Sequence, residues 1–192
     1  SMFDTKQTDF KITAGPFANN PKADVTKYIF EAFRNQGFMI GAYFSKPDWH
    51  TEYYWWPKYA TADRNNNYDI RKYPTRWQQY KDFTHNQVGE LMNNYGKVDI
   101  LWLDGGWVRP RESVTAEVLS WGARIPEWSQ DIDMPKLAAM ARKAQPGILV
   151  VDRTVHPSSS PMRRVCGTTP VWVWNSPASS RITRYWRPLL ST

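Results

Sequence analysis

The chain has 192 residues, 25 Lys and Arg against 18 Asp and Glu, a formal charge of +7, 15% aromatic residues and one cysteine, Cys166. A single cysteine excludes an internal disulfide framework, and the three histidines, His50, His85 and His156, are scattered, so no metal motif and no cofactor motif stands out. No apolar run long enough to span a bilayer is present, so membrane insertion is not expected.

In chain order, Asp24 to Gln36 places Val25, Tyr28, Ile29, Ala32 and Phe33 at helical spacing, with Asp24 as the N-cap and Gly37 as the stop. Gly37 to Phe44 is an apolar strand that delivers Tyr43 near its end. Ser45 to Thr75 then runs for about thirty residues without periodicity, a length that in a compact domain marks a functional loop. It holds Trp49, His50, Tyr53, Tyr54, Trp55, Trp56 and Tyr59, whose flat rings with polar edges suit a sugar-binding wall. The alternative for each of these rings is packing on the rim of the fold.

Arg76 to Tyr95 predicts a second helix, with Trp77, Tyr80, Val88, Leu91 and Tyr95 as its stripe and Gly96 as its stop. Val98, Ile100, Leu101, Trp102 and Leu103 then form a nearly continuous apolar run, the pattern of a strand covered on both faces of a parallel sheet. Asp104 ends that strand, and Gly105 and Gly106 allow a sharp turn beside its carboxylate. Asp133-Met134-Pro135 opens a third helix with Leu137, Met140, Ala141 and Ala144 on its buried side, which also accounts for Asp131 and Asp133 as the approach to a cap. Gly147 to Val151 is a last strand, delivering Asp152 and Arg153. Alternation of strand and helix predicts a parallel sheet, and parallel folds bind ligands beyond the carboxyl ends of their strands. Tyr43, Asp104 and Arg153 should therefore crowd one end of the sheet. Read singly, Asp104 could be a turn residue, Trp102 a core residue and Arg153 the partner of Asp152 in a surface ion pair.

The segments Phe3 to Phe10 (FDTKQTDF), Gly41 to His50 (GAYFSKPDWH), Tyr95 to Trp107 (YGKVDILWLDGGW) and Val150 to Val155 (VVDRTV) together resemble the α-L-fucosidases of glycoside hydrolase family 29, in the family's order and approximate spacing. The resemblance implies a (β/α)8 TIM-like barrel and retaining hydrolysis of terminal α-L-fucose from fucosylated glycans. Under it Asp104 matches the nucleophile, while Tyr43, Trp102 and Arg153 match residues of the fucose pocket. Trp107, Trp49 and His50 join them as substrate-binding candidates, His50 through the PDWH pattern. The chemistry is consistent: a retaining glycosidase needs an ionised carboxylate to attack the anomeric carbon and a second carboxyl to protonate the leaving oxygen. A neighbouring arginine and a tyrosine hydroxyl would both keep the attacking carboxylate charged.

A full barrel takes about 250 residues, so residues 1–156 are expected to form part of one. By the resemblance, Ser1 falls just after the family's His-His-Asp-Gly stretch. Residues 157–192 contain no Asp, Glu or Lys but five arginines (Arg163, Arg164, Arg181, Arg184, Arg187) among Ser, Thr and Pro. Up to His156 the charges nearly balance, at 20 basic against 18 acidic, so the basic excess belongs to this tail rather than to a nucleic-acid-binding face. The tail reads as a shifted reading frame or a disordered extension, and no carboxylic side chain follows Asp152 to serve as the acid/base. The chain by itself is therefore expected to be inactive. Two other classes fit the same residues: another (β/α)8 glycoside hydrolase, and an inactive carbohydrate-binding module.

Overall fold

Strands and helices alternate along the residues that the computed structural model describes, which are 1–57, 60–120 and 124–152. Helix α1 (Val25–Asn35) is followed by strand β1 (Gly41–Ser45), helix α2 (Pro74–Asn94) and strand β2 (Ile100–Asp104). A 3-10 turn (Arg111–Ser113), a short helix α3 (Ala116–Ser120), helix α4 (Met134–Ala144) and strand β3 (Leu149–Asp152) complete the order. The strands form one parallel sheet, β1-β2-β3, with Tyr43 opposite Trp102 and Trp102 opposite Val151. The expected alternation and parallel pairing are thus present. Among the described residues the sheet has these three strands, and no closed barrel is seen.

Local chemistry explains the boundaries. Asp24 caps α1 by accepting from the Lys27 amide at 3.2 Å, and Gly37 takes a left-handed φ of 81° just past its end. Pro74 opens α2 at a position where its missing N–H costs nothing. Asp133 caps α4, accepting from the Lys136 amide at 3.2 Å, while Asp131 Oδ1 accepts from the Asp133 amide at 2.8 Å.

The core lies on one side of the sheet. Ala42 and Phe44 of β1, Leu101 and Leu103 of β2 and Val150 of β3 face Trp77, Tyr80, Val88 and Leu91 of α2 and Leu137 and Ala141 of α4, all buried. The α2 and α4 stripes are those expected, except that Met140 and Ala144 are only partly buried at the core's edge. Two expectations need correction. The run Val98 to Leu103 is covered on one face only, since Trp102 is 43% exposed and Tyr43 beside it 63%. Helix α1 does not bury its Ile29 and Phe33 stripe, and both residues stay about half exposed. It docks instead through Phe30, edge-on to Tyr95, and through Arg34, whose Nη2 donates to the carbonyls of Tyr95 (2.7 Å) and Lys97 (3.0 Å). Two hydrogen bonds from one guanidinium nitrogen to carbonyls just past α2 hold the helix in this rotation, with the apolar stripe left outward.

Candidate functional site

The period-2 alternation of the strands sorts the end of the sheet into two faces. On the open face stand Tyr43 of β1 and Trp102 and Asp104 of β2. Tyr43 Oη donates to Asp104 Oδ2 at 2.8 Å, and Ser45 is the strand partner of Asp104. This is the juxtaposition expected for Tyr43 and Asp104, and it takes Trp102 out of the core. Arg153 lies outside the described residues, as do Tyr59 and the whole of the 157–192 tail.

Directly after Asp104 the chain turns at Gly105, with a φ of 95°. A Cβ there would meet Pro47 Cδ at 2.4 Å, so the glycine is required by the approach of the β1–α2 loop as well as by its dihedral angle. Trp107, two residues on, is half-buried; its Nε1 donates to the Arg64 carbonyl at 3.2 Å and its carbonyl accepts from Gln130 Nε2 at 3.2 Å. Gln130 is fully buried and also donates to Asn65 Oδ1 at 2.8 Å, while its Oε1 accepts from the Asn66 amide at 3.1 Å. A buried polar network of this kind fixes the loops that surround the strand ends.

The aromatic loop divides. Tyr54 is fully buried against Trp77 and Tyr80, and Tyr68 is buried as well, so these are rim packing rather than wall. Trp49 is 46% exposed, stacked on Trp55 at 6.0 Å with the Arg64 guanidinium 5.8 Å from its ring. His50 is exposed but its ring stacks on Phe10 at 3.7 Å, while Asp48 Oδ1 accepts from the amides of His50 (2.8 Å) and Thr51 (3.0 Å). His50 is thereby tied to the N-terminal segment, and Asp48 is a turn residue. Trp49 and Trp107 both meet Arg64, Trp49 through its ring and Trp107 through its Nε1; His50 is stacked on Phe10 rather than on Asp104.

On the opposite, helix-facing side of the strand ends is a pair that the sequence pattern did not single out. Lys46 Nζ meets Asp152 Oδ1 at 2.6 Å, with the lysine side chain fully buried and the aspartate 5% exposed. Asp152 is thus paired with Lys46, while Arg153, the other partner considered for it, lies outside the described residues. Burial pushes the Lys46 pKa below the ordinary lysine value; Asp152 and, more weakly, Asp104 counter this by attraction, while Arg109 adds repulsion. The contact distance is that of a charge-assisted bond. Arg109 is itself buried, its Nη1 donating to the Ser113 carbonyl at 3.2 Å. The only legible hint was that Lys46 and Asp152 continue the inward alternation of β1 and β3.

Among the described residues no group of three His, Cys, Asp or Glu is gathered that could hold a metal ion, and no helix is long and apolar enough to cross a membrane.

Comparison with known proteins follows the same lines. A family model described as alpha-L-fucosidase matches residues 1–168. Alpha-L-fucosidase isoenzyme 1 from Paenibacillus thiaminolyticus is similar at 28% identity and a TM-score of 0.50, over 78% of this chain and 30% of that one. A glycoside hydrolase family 29 alpha-L-fucosidase from Bacteroides thetaiotaomicron, trapped as a covalent intermediate with 2-fluoro-fucosyl fluoride, is similar in fold at 23% identity and a TM-score of 0.51, over 78% and 27% of the two chains. A bacterial fucosidase solved with a monovalent iminocyclitol inhibitor has a TM-score of 0.54 at 21% identity, over 78% and 27%. No curated protein matches. The chain spans less than a third of the length of these solved enzymes.

Proposed function

From the premise that the chain belongs to the alpha-L-fucosidase family, we propose that it carries the nucleophile-bearing part of a retaining α-L-fucosidase catalytic domain, with Asp104 as the nucleophile. The observation that carries this reading is the Tyr43 to Asp104 bond of 2.8 Å on the open face at the carboxyl ends of β1 and β2. A carboxylate at that place, held by the Tyr43 hydroxyl, would attack the anomeric carbon of a terminal fucose through a carboxylate oxygen. In the first step the bond from that oxygen to the anomeric carbon forms as the glycosidic bond breaks, and the leaving oxygen takes a proton from a carboxylic acid. In the second, the base left by that acid takes a proton from water, whose oxygen bonds to the anomeric carbon on the side opposite to Asp104 as the ester bond breaks and Asp104 leaves as a carboxylate. Tyr43 steadies the carboxylate, and Trp102 and Trp107 offer ring faces to the apolar side of the sugar. Arg153, beyond β3, is proposed as a second donor to the pocket on the strength of the sequence resemblance.

The proton donor is assigned to none of the carboxyls that flank this face. Asp152 belongs to the helix side of the sheet and is held by Lys46, and Asp48 is used up in its turn. A chain of residues 1–192 is accordingly expected to turn over no aryl fucoside, since general acid catalysis contributes about 10² to 10⁴ in rate. The decisive experiment is made in a full-length fucosidase containing this segment. Asp104→Gly should lose several orders of magnitude in turnover of an aryl α-L-fucoside, and added azide should restore part of it by taking the place of the missing carboxylate. Near wild-type turnover in that variant would remove Asp104 from the role. Activity on other aryl glycosides in preference to the fucoside would keep the mechanism and replace the sugar.

A further inference from the structure

The strand order makes the Lys46–Asp152 contact unusual. Lys46 follows β1 and Asp152 ends β3, yet β1 and β3 are not neighbours, because β2 lies between them. Two strand spacings amount to about 10 Å, so the two side chains bridge the width of β2 at its carboxyl end. There the main chain is already confined. The Lys46 amide donates to the Asp104 carbonyl at 2.9 Å, and at Gly105 an added Cβ would lie 3.5 Å from Lys46 Cβ as well as 2.4 Å from Pro47 Cδ. Tyr80 of α2 fixes the other side of this corner, donating its hydroxyl to the Lys46 carbonyl and accepting from the Asp48 amide at 2.8 Å.

We propose that the Lys46–Asp152 ion pair is a strap across the end of the nucleophile strand, with Lys46 a positioning residue that holds the Asp104 peptide, and hence its carboxylate, in the geometry for attack. The proposal rests on Asp104 being the nucleophile. An exposed ion pair could not do this, because solvent competes for both partners. A fully buried one is different: neither charge has water to turn to, so breaking it is expensive and its geometry is stiff. Among the described residues, Asp152 from β3, Arg109 from the turn after β2 and, most weakly, Asp104 from β2 act on Lys46, and the Tyr80 hydroxyl of α2 donates to its carbonyl. The carboxylates of Asp152 and Asp104 offset charge on Lys46 and Arg109, which helps a cation to be buried beside a nucleophile that must itself stay ionised. The ammonium also attracts Asp104 through the strand end, favouring its charged form.

The test uses the full-length enzyme and two variants. Lys46→Met removes the cation and leaves Asp152 buried without it, so this variant is expected to melt at lower temperature. In it the acidic limb of the kcat/KM profile should move up, because Asp104 loses the attraction of a neighbouring positive charge. The double variant Lys46→Met with Asp152→Leu removes both charges, and apolar replacement of a whole buried pair is usually neutral for folding or better. Its melting temperature should stay near that of the parent while kcat falls about 10- to 100-fold with KM nearly unchanged, as expected when the attacking group is misplaced rather than substrate binding lost. A double variant with parental kcat would overturn the strap even if Lys46→Met is unstable. The Asp104→Gly variant with azide, run beside them, separates the two ideas. If it keeps its activity the nucleophile assignment fails; if it behaves as expected while the double variant is fully active, only the strap fails.

Discussion

Tyr43 shows how much a single hydroxyl can do at an open site. Its bond to Asp104 is charge-assisted, but the ring is 63% exposed, so water competes for the same carboxylate oxygen. Tyr43→Phe should therefore cost about tenfold in kcat/KM rather than the several orders expected for Asp104 itself. Steady-state kinetics on an aryl α-L-fucoside in the full-length enzyme check this, and an unchanged kcat/KM would leave the hydroxyl without a role. The residues on the open face were legible in the sequence because a strand has period 2 and ends visibly: Asp104 before two glycines, with Tyr43 and Trp102 in step. The residues behind it were not. Lys46 and Asp152 are 106 positions apart and meet only because β2 separates their strands, a register that no local pattern encodes.

At the level of elements, the turn after β2 is the tightest joint. Gly105→Ala would have to hold a left-handed φ and displace Pro47, a ring with no flexible end to move aside, so a loss of at least about 2 kcal/mol is expected. A thermal melt of the full-length protein would register it, and an unchanged melting temperature would mean that the loop yields. Two carboxyls give the elements a dependence on pH. Asp4 is held below the usual carboxylate range by bonds from Lys11 and Thr13, and Asp99, despite burial that pushes its pKa up, is held down by Lys97 and by the Ile40 amide at the start of β1. Both pKa values are lower in the folded chain, so their contribution is present above about pH 4, the unfolded carboxylate value, and is lost as pH falls through the folded values. Amide exchange at Ile40 should accordingly quicken below about pH 4, earlier than at the buried centre of α2. Helix boundaries were readable here, since Asp24 and Asp133 cap as their positions announce. Helix rotation was not: the α1 stripe looked like a core face, and Arg34, a charged residue, turned out to set the docking.

Over the whole molecule, many large apolar side chains remain uncovered among the described residues, and two groups of them stand out. One is the open sheet face with Tyr43, Trp102 and Leu149, and the other the α1 side with Ile29, Phe33, Phe38 and Met39. A chain of residues 1–192 is expected to associate as its concentration rises, and light scattering after size exclusion should show mass increasing with loading. Replacing Phe38 and Met39 by Lys should reduce that increase without lowering the melting temperature, because neither side chain is in the core. The parallel order of the sheet has a separate consequence, which concerns time rather than stability. Gly41 pairs with Ile100 and Ile100 with Leu149, so each strand pairing closes a loop of about 50 to 60 residues before it gains a single ladder bond. Helix α2, whose backbone hydrogen bonds are local, can begin to form before that. The corner where Tyr43, Asp104, Lys46 and Asp152 meet is thus assembled among the last parts of the fold, and on a nascent chain it stays incomplete until β3 has been made.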